Sequence, residues 1–470
     1  MANSTSNDLI VIGTGAAGMA AAIRASELGA RTAIVEARDV VGGTCVNVGC
    51  IPSKWLVEVA SRYHASRVGF PGIASSTADL DWAGVQRARE DLVDGLRREK
   101  YEQVLAGLPN ATLLFGRAEL LGAGRVRVGD RQVSAAHIVI ATGTHPAVPT
   151  IEGLAAAEPL DSTSVMELEE LPHSMIIIGG GSIGLELGQA FQRLGVQVTI
   201  LEAANRILPA EHPDASALVT ELLTREGLVI RSGVRMKRVD RRSGRVEVAF
   251  SLDGREEAAS AEQLLVATGR RPNTARLGLE ASGVRTDARG FIVVDQDMAT
   301  SAEGVFAAGD VTGGPGFVYV AAAQGGIAAQ SALGRDDDAQ PMDLMTVPRV
   351  TFTEPQVAAV GLTPDDGWTA GFKTRTASLP LRHLARAAVS RHDQGFVSLI
   401  ADAATDRLVG AHIVAPNAGD MIGEVALALR MGLRVDEVVT TLHPYLTWVE
   451  GVKLAAQTFS RDVARLSCCA

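Results

Sequence analysis

"LIVIGTGAAGMAAAIRASELGARTAIVE", Leu9–Glu36, aligns without a gap on "MIIIGGGSIGLELGQAFQRLGVQVTILE", Met175–Glu202. Each copy reads as a strand rich in β-branched residues, a glycine turn, a helix closed by Leu-Gly, and a second strand ending in Glu. The glycines are Gly13, Gly15 and Gly18 in the first copy and Gly179, Gly181 and Gly184 in the second. The first permits a tight turn, the second lets backbone approach a pyrophosphate, and the third packs helix on strand with the helix N-terminus facing the anion. A lone G-x-G-x-x-G is weak evidence, and a Gly-rich turn without a ligand is the alternative. Here both copies carry the strand before, the helix after, and an acid (Glu36, Glu202) 18 residues past the third glycine, suited to ribose hydroxyls.

Two such Rossmann-like units imply two dinucleotides, and the economical pair is a flavin with a nicotinamide. Further echoes organise the chain: "VIATGTHP" (Val139–Pro146) follows the first unit and "LVATGRRPN" (Leu265–Asn273) the second. "GVFAAGDV" (Gly304–Val311) is another apolar strand, delivering Asp310 at its end. This predicts an α/β fold with a flavin domain from residues 1–150 and 272–333 and a nicotinamide domain inserted over 151–271. The polar "GRDDDAQP" (Gly334–Pro341) reads as a linker to a third, α+β domain over 342–470, where "GFVSLIAD" and "LVGAHIVAP" alternate as antiparallel strands and "MIGEVALALRMG" is helical.

Composition bounds the function. A chain of 470 residues needs several cores. A net charge of −10 without a basic stripe excludes nucleic acid as the expected partner. No apolar run reaches membrane-spanning length, and Leu9–Ile23 lacks the basic flank of a signal peptide. Four cysteines cannot staple so long a chain, so a cytoplasmic location with reactive or metal-binding thiols is expected.

Two of those cysteines, Cys45 and Cys50, lie in "GGTCVNVGCIPSK" (Gly42–Lys54). A zinc site would want further paired ligands, which the chain does not offer. Two buried structural cysteines are the bland alternative. A redox pair needs one thiol of lowered pKa, and Pro52 opening a helix would set Cys50 near a positive helix end.

The glycine-flanked cysteine motif, the paired fingerprints and "GVFAAGD" together resemble the pyridine nucleotide-disulfide oxidoreductases, which include glutathione reductase, dihydrolipoamide dehydrogenase and mercuric reductase. The resemblance implies FAD, NADPH or NADH, and a homodimer built on the last domain with shared active sites. It makes Cys45 the interchange thiol and Cys50 the thiol facing the flavin, with Lys54 near the flavin and paired to Glu186. Around the flavin nucleotide it sets Gly13, Gly15, Ala17, Gly18, Glu36, Thr44, Lys54, Ala118, Thr142, Gly143, Asp310 and Val318. Around the nicotinamide nucleotide it sets Gly179, Gly181, Ile183, Gly184, Glu186, Glu202 and Gly269.

The family's usual ending is His-Pro-Thr-x-x-Glu, a proton relay for a thiol substrate. Here the chain reads "LHPYLTWVEGVKLAAQTF", so counting back from Glu450 lands on Tyr445, and His443 is two residues early, a displaced base or a structural histidine. Tyr445 would then set a phenol beside the redox pair as a catalytic group, with packing at the dimer interface as the alternative. The adjacent Cys468 and Cys469 then resemble the tail of the mercuric reductases, which implies Hg(II) as substrate. It would be delivered by small thiols, caught by Cys468 and Cys469 of one subunit, and passed to Cys45 and Cys50 of the other. The alternatives are a dihydrolipoamide dehydrogenase or thioredoxin-reductase-like dithiol enzyme, a metal-sequestering thiol protein, or a tail with incidental thiols. The mercuric reductase resemblance implies NADPH, whereas Glu202 would repel a 2′-phosphate and favours NADH, with Arg206 as a partial offset. Met1–Asp8 leads straight into the first strand, so no separate N-terminal metal-binding module is expected.

Overall fold

The computed structural model describes residues 7–76, 79–122, 124–334, 342–363, 371 and 373–462. Cys468, Cys469 and most of the expected linker lie outside these residues.

The first quoted repeat folds as strand Asn7–Ile12, helix Ala16–Glu27 and strand Thr32–Glu36. These strands pair in parallel at the centre of a seven-stranded sheet, flanked by Ala111–Phe115 on one side and by Arg131–Ile140 and Val305–Ala307 on the other. Arg131–Ile140 is long enough to serve twice. Its first half closes an antiparallel meander with Arg125–Val128 and Ala118–Gly122, and its second half joins the parallel strands.

The second repeat gives strand Ser174–Ile178, helix Ser182–Arg193 and strand Gln197–Glu202. They sit in a four-stranded parallel sheet completed by Val229–Ser232 and Gln263–Val266, with a three-stranded antiparallel sheet, residues 235–261, beside it. The two Thr-Gly echoes converge: Thr144–Pro146 and Arg270–Pro272, which follow them, pair with each other and stitch the two sheets together. Helix Val318–Leu333 then crosses Ala16–Glu27 so closely that a Cβ on Gly325 would stand 2.0 Å from the Ala17 carbonyl oxygen.

The third sheet is five-stranded and antiparallel, in the order Arg349–Thr351, Gln356–Gly361, Leu408–Ala415, Phe396–Asp402, Thr374–Pro380. Its central strands correct the expectation of an alternating pattern, because Phe396–Asp402 and Leu408–Ala415 are buried on both faces. One face, with Ala358 and Ile413, packs on Met421, Ile422 and Val425 of helix Ala418–Arg430. The other, with Val357 and Val414, joins a core shared with Phe191 and Leu223 of the second sheet's helices. That same core takes in Leu56 and Ala60 from helix Cys50–Val68, so one apolar cluster draws on all three sheets' neighbourhoods beneath the cysteine motif.

Candidate active site

The cysteine motif folds as two short-coupled helices, Gly43–Val48 carrying Cys45 and Cys50–Val68 beginning on Cys50. Gly43 lies against the first fingerprint, where a Cβ would stand 2.6 Å from Gly15 Cα, and its φ of 62° is one that favours glycine. Gly49, at the joint, leaves no room for a side chain either, its Cβ position being 2.9 Å from the Thr44 carbonyl oxygen. The backbone N–H of Gly42 donates to Thr14 Oγ1 at 3.0 Å, and that hydroxyl donates to Glu36 Oε2. Asn47 Nδ2 donates to the carbonyls of Val41 and Gly43 at 2.8 and 2.9 Å, while Arg97 Nη1 donates to its Oδ1 at 3.1 Å. The first cysteine is therefore carried on a helix pinned at its N-terminal end to both the fingerprint and helix Trp82–Arg97.

Both cysteines are free thiols, and their sulfurs hydrogen-bond each other. The donated hydrogen bond stabilises charge on Cys50 and Lys54 adds to it, overcoming burial, so Cys50 is lowered to about 7. Cys45, the donor, is pushed far up by that same hydrogen bond and by burial. Cys50 is thus the thiolate of the pair at neutral pH, and its place at the first position of a helix is electrostatically suited to that charge. The expected helix opening is observed, with Pro52 at its third position.

Lys54, one turn beyond Cys50, pairs with Glu186 Oε2 at 2.5 Å. Glu186 is 6% exposed, and its other oxygen accepts from the Phe352 backbone N–H at 2.8 Å. Phe352 in turn places its ring 4.6 Å from Lys54 Nζ. One buried carboxylate thereby locks together the cysteine helix, the second fingerprint helix and the first strand of the third sheet. Sequence reading named Lys54 and Glu186; it missed Phe352, which carries no polar side chain to betray it.

It also missed Tyr101 and Arg270. Tyr101 sits in the wide π-helical turn Arg98–Glu102 against Gly42, and its phenol is raised by burial and then by the charges of Cys45 and Cys50. Such wide turns gather at functional sites, but the register break shows only in the fold. Arg270 donates to Thr144 Oγ1 and the Thr144 carbonyl at 2.6 and 2.8 Å and stands 3.9 Å from Asp310. Its charge also acts on Cys50, and the arginine itself is lowered by burial. Asp310 accepts from Thr144 Oγ1 at 2.9 Å.

Both fingerprints have the shape a dinucleotide needs. Gly13 and Gly179 adopt φ of 112° and 116°, with a Cβ excluded by Ala141 and Ala267 carbonyls at 2.4 Å in each case. Gly18 and Gly184 meet the Gly13 and Gly179 carbonyls at 1.9 and 2.0 Å, whereas Gly181 has nothing within 4 Å and Gly15 only Gly43 Cα at 3.8 Å. The middle glycines thus leave open space above a helix N-terminus, the cradle a pyrophosphate requires, so the residues present fit FAD on the first repeat and a nicotinamide dinucleotide on the second. Each terminal acid holds its own turn: Glu36 accepts from Thr14 N–H at 3.2 Å and Arg38 N–H at 2.9 Å, Glu202 from Gly180 and Ala204 N–H at 2.6 Å each. Thr142 and Gly143 are bound to Asn273 through three hydrogen bonds of 2.8 to 3.0 Å. Ala17 is buried at the crossing with Gly325, Ala118 is buried in its strand, and Ile183, Val318 and Gly269 border open space.

The third domain's candidates separate. His443 is turned inward, 3% exposed, with Nε2 2.6 Å from Glu424 Oε1 and Nδ1 3.0 Å from the Thr441 carbonyl oxygen. Tyr445 faces outward, 55% exposed, between exposed Leu442 and Leu446. Glu450 is buried, burial raises its pKa, and its Oε2 has no hydrogen-bond partner among the described residues.

The model of the "Pyridine nucleotide-disulphide oxidoreductase" family matches residues 7–325, and that of the family's dimerisation domain matches residues 347–456. The chain belongs to the pyridine nucleotide-disulphide oxidoreductase family. It is 42% identical over 469 residues to a mercuric reductase of Lysinibacillus sphaericus, covering 100% of this chain and 85% of that one. A mercuric reductase of Streptomyces lividans is 42% identical over 472 residues, covering 99% of each. Among solved structures, the Cu(II) complex of the HOCl-induced flavoprotein disulfide reductase RclA from Escherichia coli superposes with a TM-score of 0.86 at 29% identity, covering 96% of this chain and 99% of that one. The chain is thus an NAD(P)H-dependent flavin disulfide oxidoreductase with a dimerisation domain. Among the described residues, no helix is long and apolar enough to cross a membrane and no three metal-ligating side chains converge.

Proposed function

We propose that this oxidoreductase reduces thiol-bound Hg(II) to Hg(0), holding the metal between Cys45 and Cys50. The observation that carries this reading is on the third domain. A disulfide substrate needs a proton donor for its leaving thiolate, yet His443 stands two residues out of the relay's register with its side chain 3% exposed, and the outward group is the phenol of Tyr445. A metal leaving two sulfurs makes no such demand. The relatives named mercuric reductase, similar over the whole chain, support the same reading.

Cys50, a thiolate near neutral pH, is the ready soft ligand, and Cys45 becomes the second when its proton is displaced by the metal. Lys54 keeps a cation beside that sulfur and Glu186 fixes the lysine. FAD, when bound, supplies the two-electron carrier between NAD(P)H and the dithiol. Overall, a Hg(II) dithiolate and NAD(P)H give Hg(0), NAD(P)+, one thiol and one thiolate. Cys468 and Cys469 of the tail, with Tyr445 of the same subunit's third domain, serve the site of the other subunit of a homodimer, the two cysteines capturing Hg(II) from small thiols by ligand exchange.

The test is NAD(P)H oxidation with excess thiol present, comparing Hg(II), Cu(II), lipoamide, thioredoxin and glutathione disulfide. Hg(II)-dependent turnover with release of mercury vapour is expected. Efficient lipoamide or thioredoxin turnover without a mercury response would replace this reading with a dithiol oxidoreductase. A Cu(II) response alone would favour the chemistry suggested by the RclA complex.

A further inference from the structure

Beyond the end of strand Gln197–Glu202, the next nine residues contain one cation, Arg206. It is the one group in that stretch able to neutralise a nucleotide 2′-phosphate beside Glu202. The structure turns it away. Its Nη2 donates to the carbonyls of Pro209 and Glu211 at 2.8 and 3.1 Å, and its Nε is buried without a hydrogen-bond partner among the described residues.

The loop that holds it is fastened at both ends. Leu208, with φ of 45°, donates its N–H to the Gly180 carbonyl in the fingerprint at 2.9 Å, and Glu211 donates its N–H to the Leu208 carbonyl at 2.9 Å. The far end is latched from another domain, for Arg349 Nε donates to Glu211 Oε1 at 2.7 Å and the Glu211 side chain is 10% exposed. Close by, Ser182 and Thr351 hydroxyls lie 2.7 Å apart, tying the same third-sheet strand to the start of the fingerprint helix.

We propose that Arg349, on the dimerisation domain, is a specificity-determining positioning residue: by latching Glu211 it keeps Arg206 bound to its own loop and the site selective for NADH over NADPH. Glu202 supplies the repulsion of a 2′-phosphate, and the latch withholds the compensating cation. The proposal rests on the nucleotide half of the reading above and is independent of the metal.

It is tested on the FAD-loaded protein by calorimetric binding of NAD+ and NADP+, together with the rate at which NADH and NADPH bleach the flavin without any metal. The parent is expected to bind NAD+ at least about tenfold more tightly than NADP+, a gap of about 1.4 kcal/mol. Arg349→Met is expected to tighten NADP+ several-fold while leaving NAD+ unchanged, Arg349→Lys to restore most of the parent behaviour, and Arg206→Met to abolish the gain in the double variant. Should Arg349→Met fail to fold or to retain flavin, Glu211→Gln weakens the same ion pair and carries the same expectation. A parent that prefers NADP+, or latch variants that move both nucleotides alike or neither, would overturn the proposal, whatever the outcome of the mercury assay.

Discussion

Cys50 is the residue on which the chemistry turns, and its charge is made by neighbours that can be removed singly. Taking away the Cys45 hydrogen bond or the Lys54 cation removes a stabiliser of the thiolate, so Cys45→Ala, which leaves no donor, or Lys54→Met should raise the Cys50 titration above its value of about 7. A rise of roughly one unit, worth about 1.4 kcal/mol, is expected by ultraviolet thiolate absorbance in a background lacking Cys468 and Cys469. An unmoved titration would mean that helix position alone sets the pKa. The glycines offer a second contrast. Gly181, with open space and φ of −79°, should accept alanine without loss of thermal stability while weakening NAD(P)H binding, because its absent Cβ serves only the ligand. Gly179→Ala, at φ of 116° and 2.4 Å from a carbonyl, should cost about 1–3 kcal/mol in stability as well. Equal melting losses from the two substitutions would show that both glycines are merely structural. The steric need at Gly13, Gly18, Gly179 and Gly184 is legible in the sequence, because it leaves its mark as residue type at a fixed spacing. Tyr101, Arg270 and Phe352 are not, since their importance arises from chain segments far apart in sequence.

At the scale of elements, helix Cys50–Val68 is held by the neighbouring domain's core, and its foundation is apolar. Leu56→Ala should cost about 2–5 kcal/mol and loosen the cysteines along with the fold, measured by chemical denaturation. A polar weld lies nearby: Arg193, 5% exposed, binds Glu226 at 2.8 Å, Ser61 at 3.0 Å and Glu354 of the third domain. Burial pushes Glu354 up, but the Arg193 charge and hydrogen bond more than offset this and hold its pKa below the ordinary carboxylate value. A carboxylate lowered in the folded state stabilises the fold above its unfolded pKa and loses that contribution as pH falls through the folded value. Arg193→Met should therefore cost about 2–4 kcal/mol near neutrality and move acid unfolding to higher pH. An acid transition unchanged from the parent would remove Glu354 from the account. The repeat units could be read from sequence because local pattern dictates βαβ structure. The doubly buried third-sheet strands were misjudged as alternating, because what covers their second face comes from residues some two hundred positions earlier.

At the scale of the whole molecule, the family's dimerisation domain presents Leu442, 90% exposed, next to Tyr445 and Leu446. Such an apolar surface is suited to burial between subunits. Leu442→Asp should shift the protein toward monomer in sedimentation and suppress mercury turnover, while leaving flavin reduction by NAD(P)H intact. Full turnover by a monomer would separate the tail from the neighbouring site. Replacing Cys468 and Cys469 by alanine should give the same split, turnover lost and flavin reduction kept, when excess thiol competes for the metal.

The most direct test addresses where Hg(II) sits when it takes its electrons. Enzyme with Cys45 and Cys50 already reduced to the dithiol, and its flavin then reduced by two further electrons, is mixed with one Hg(II) per site and the mercury vapour is collected. The parent should release close to one Hg(0) per site, and Cys45→Ser and Cys50→Ser should each release almost none although their flavins still bleach with NAD(P)H. Parent-level mercury release from either serine variant would contradict reduction of the metal between this pair of sulfurs.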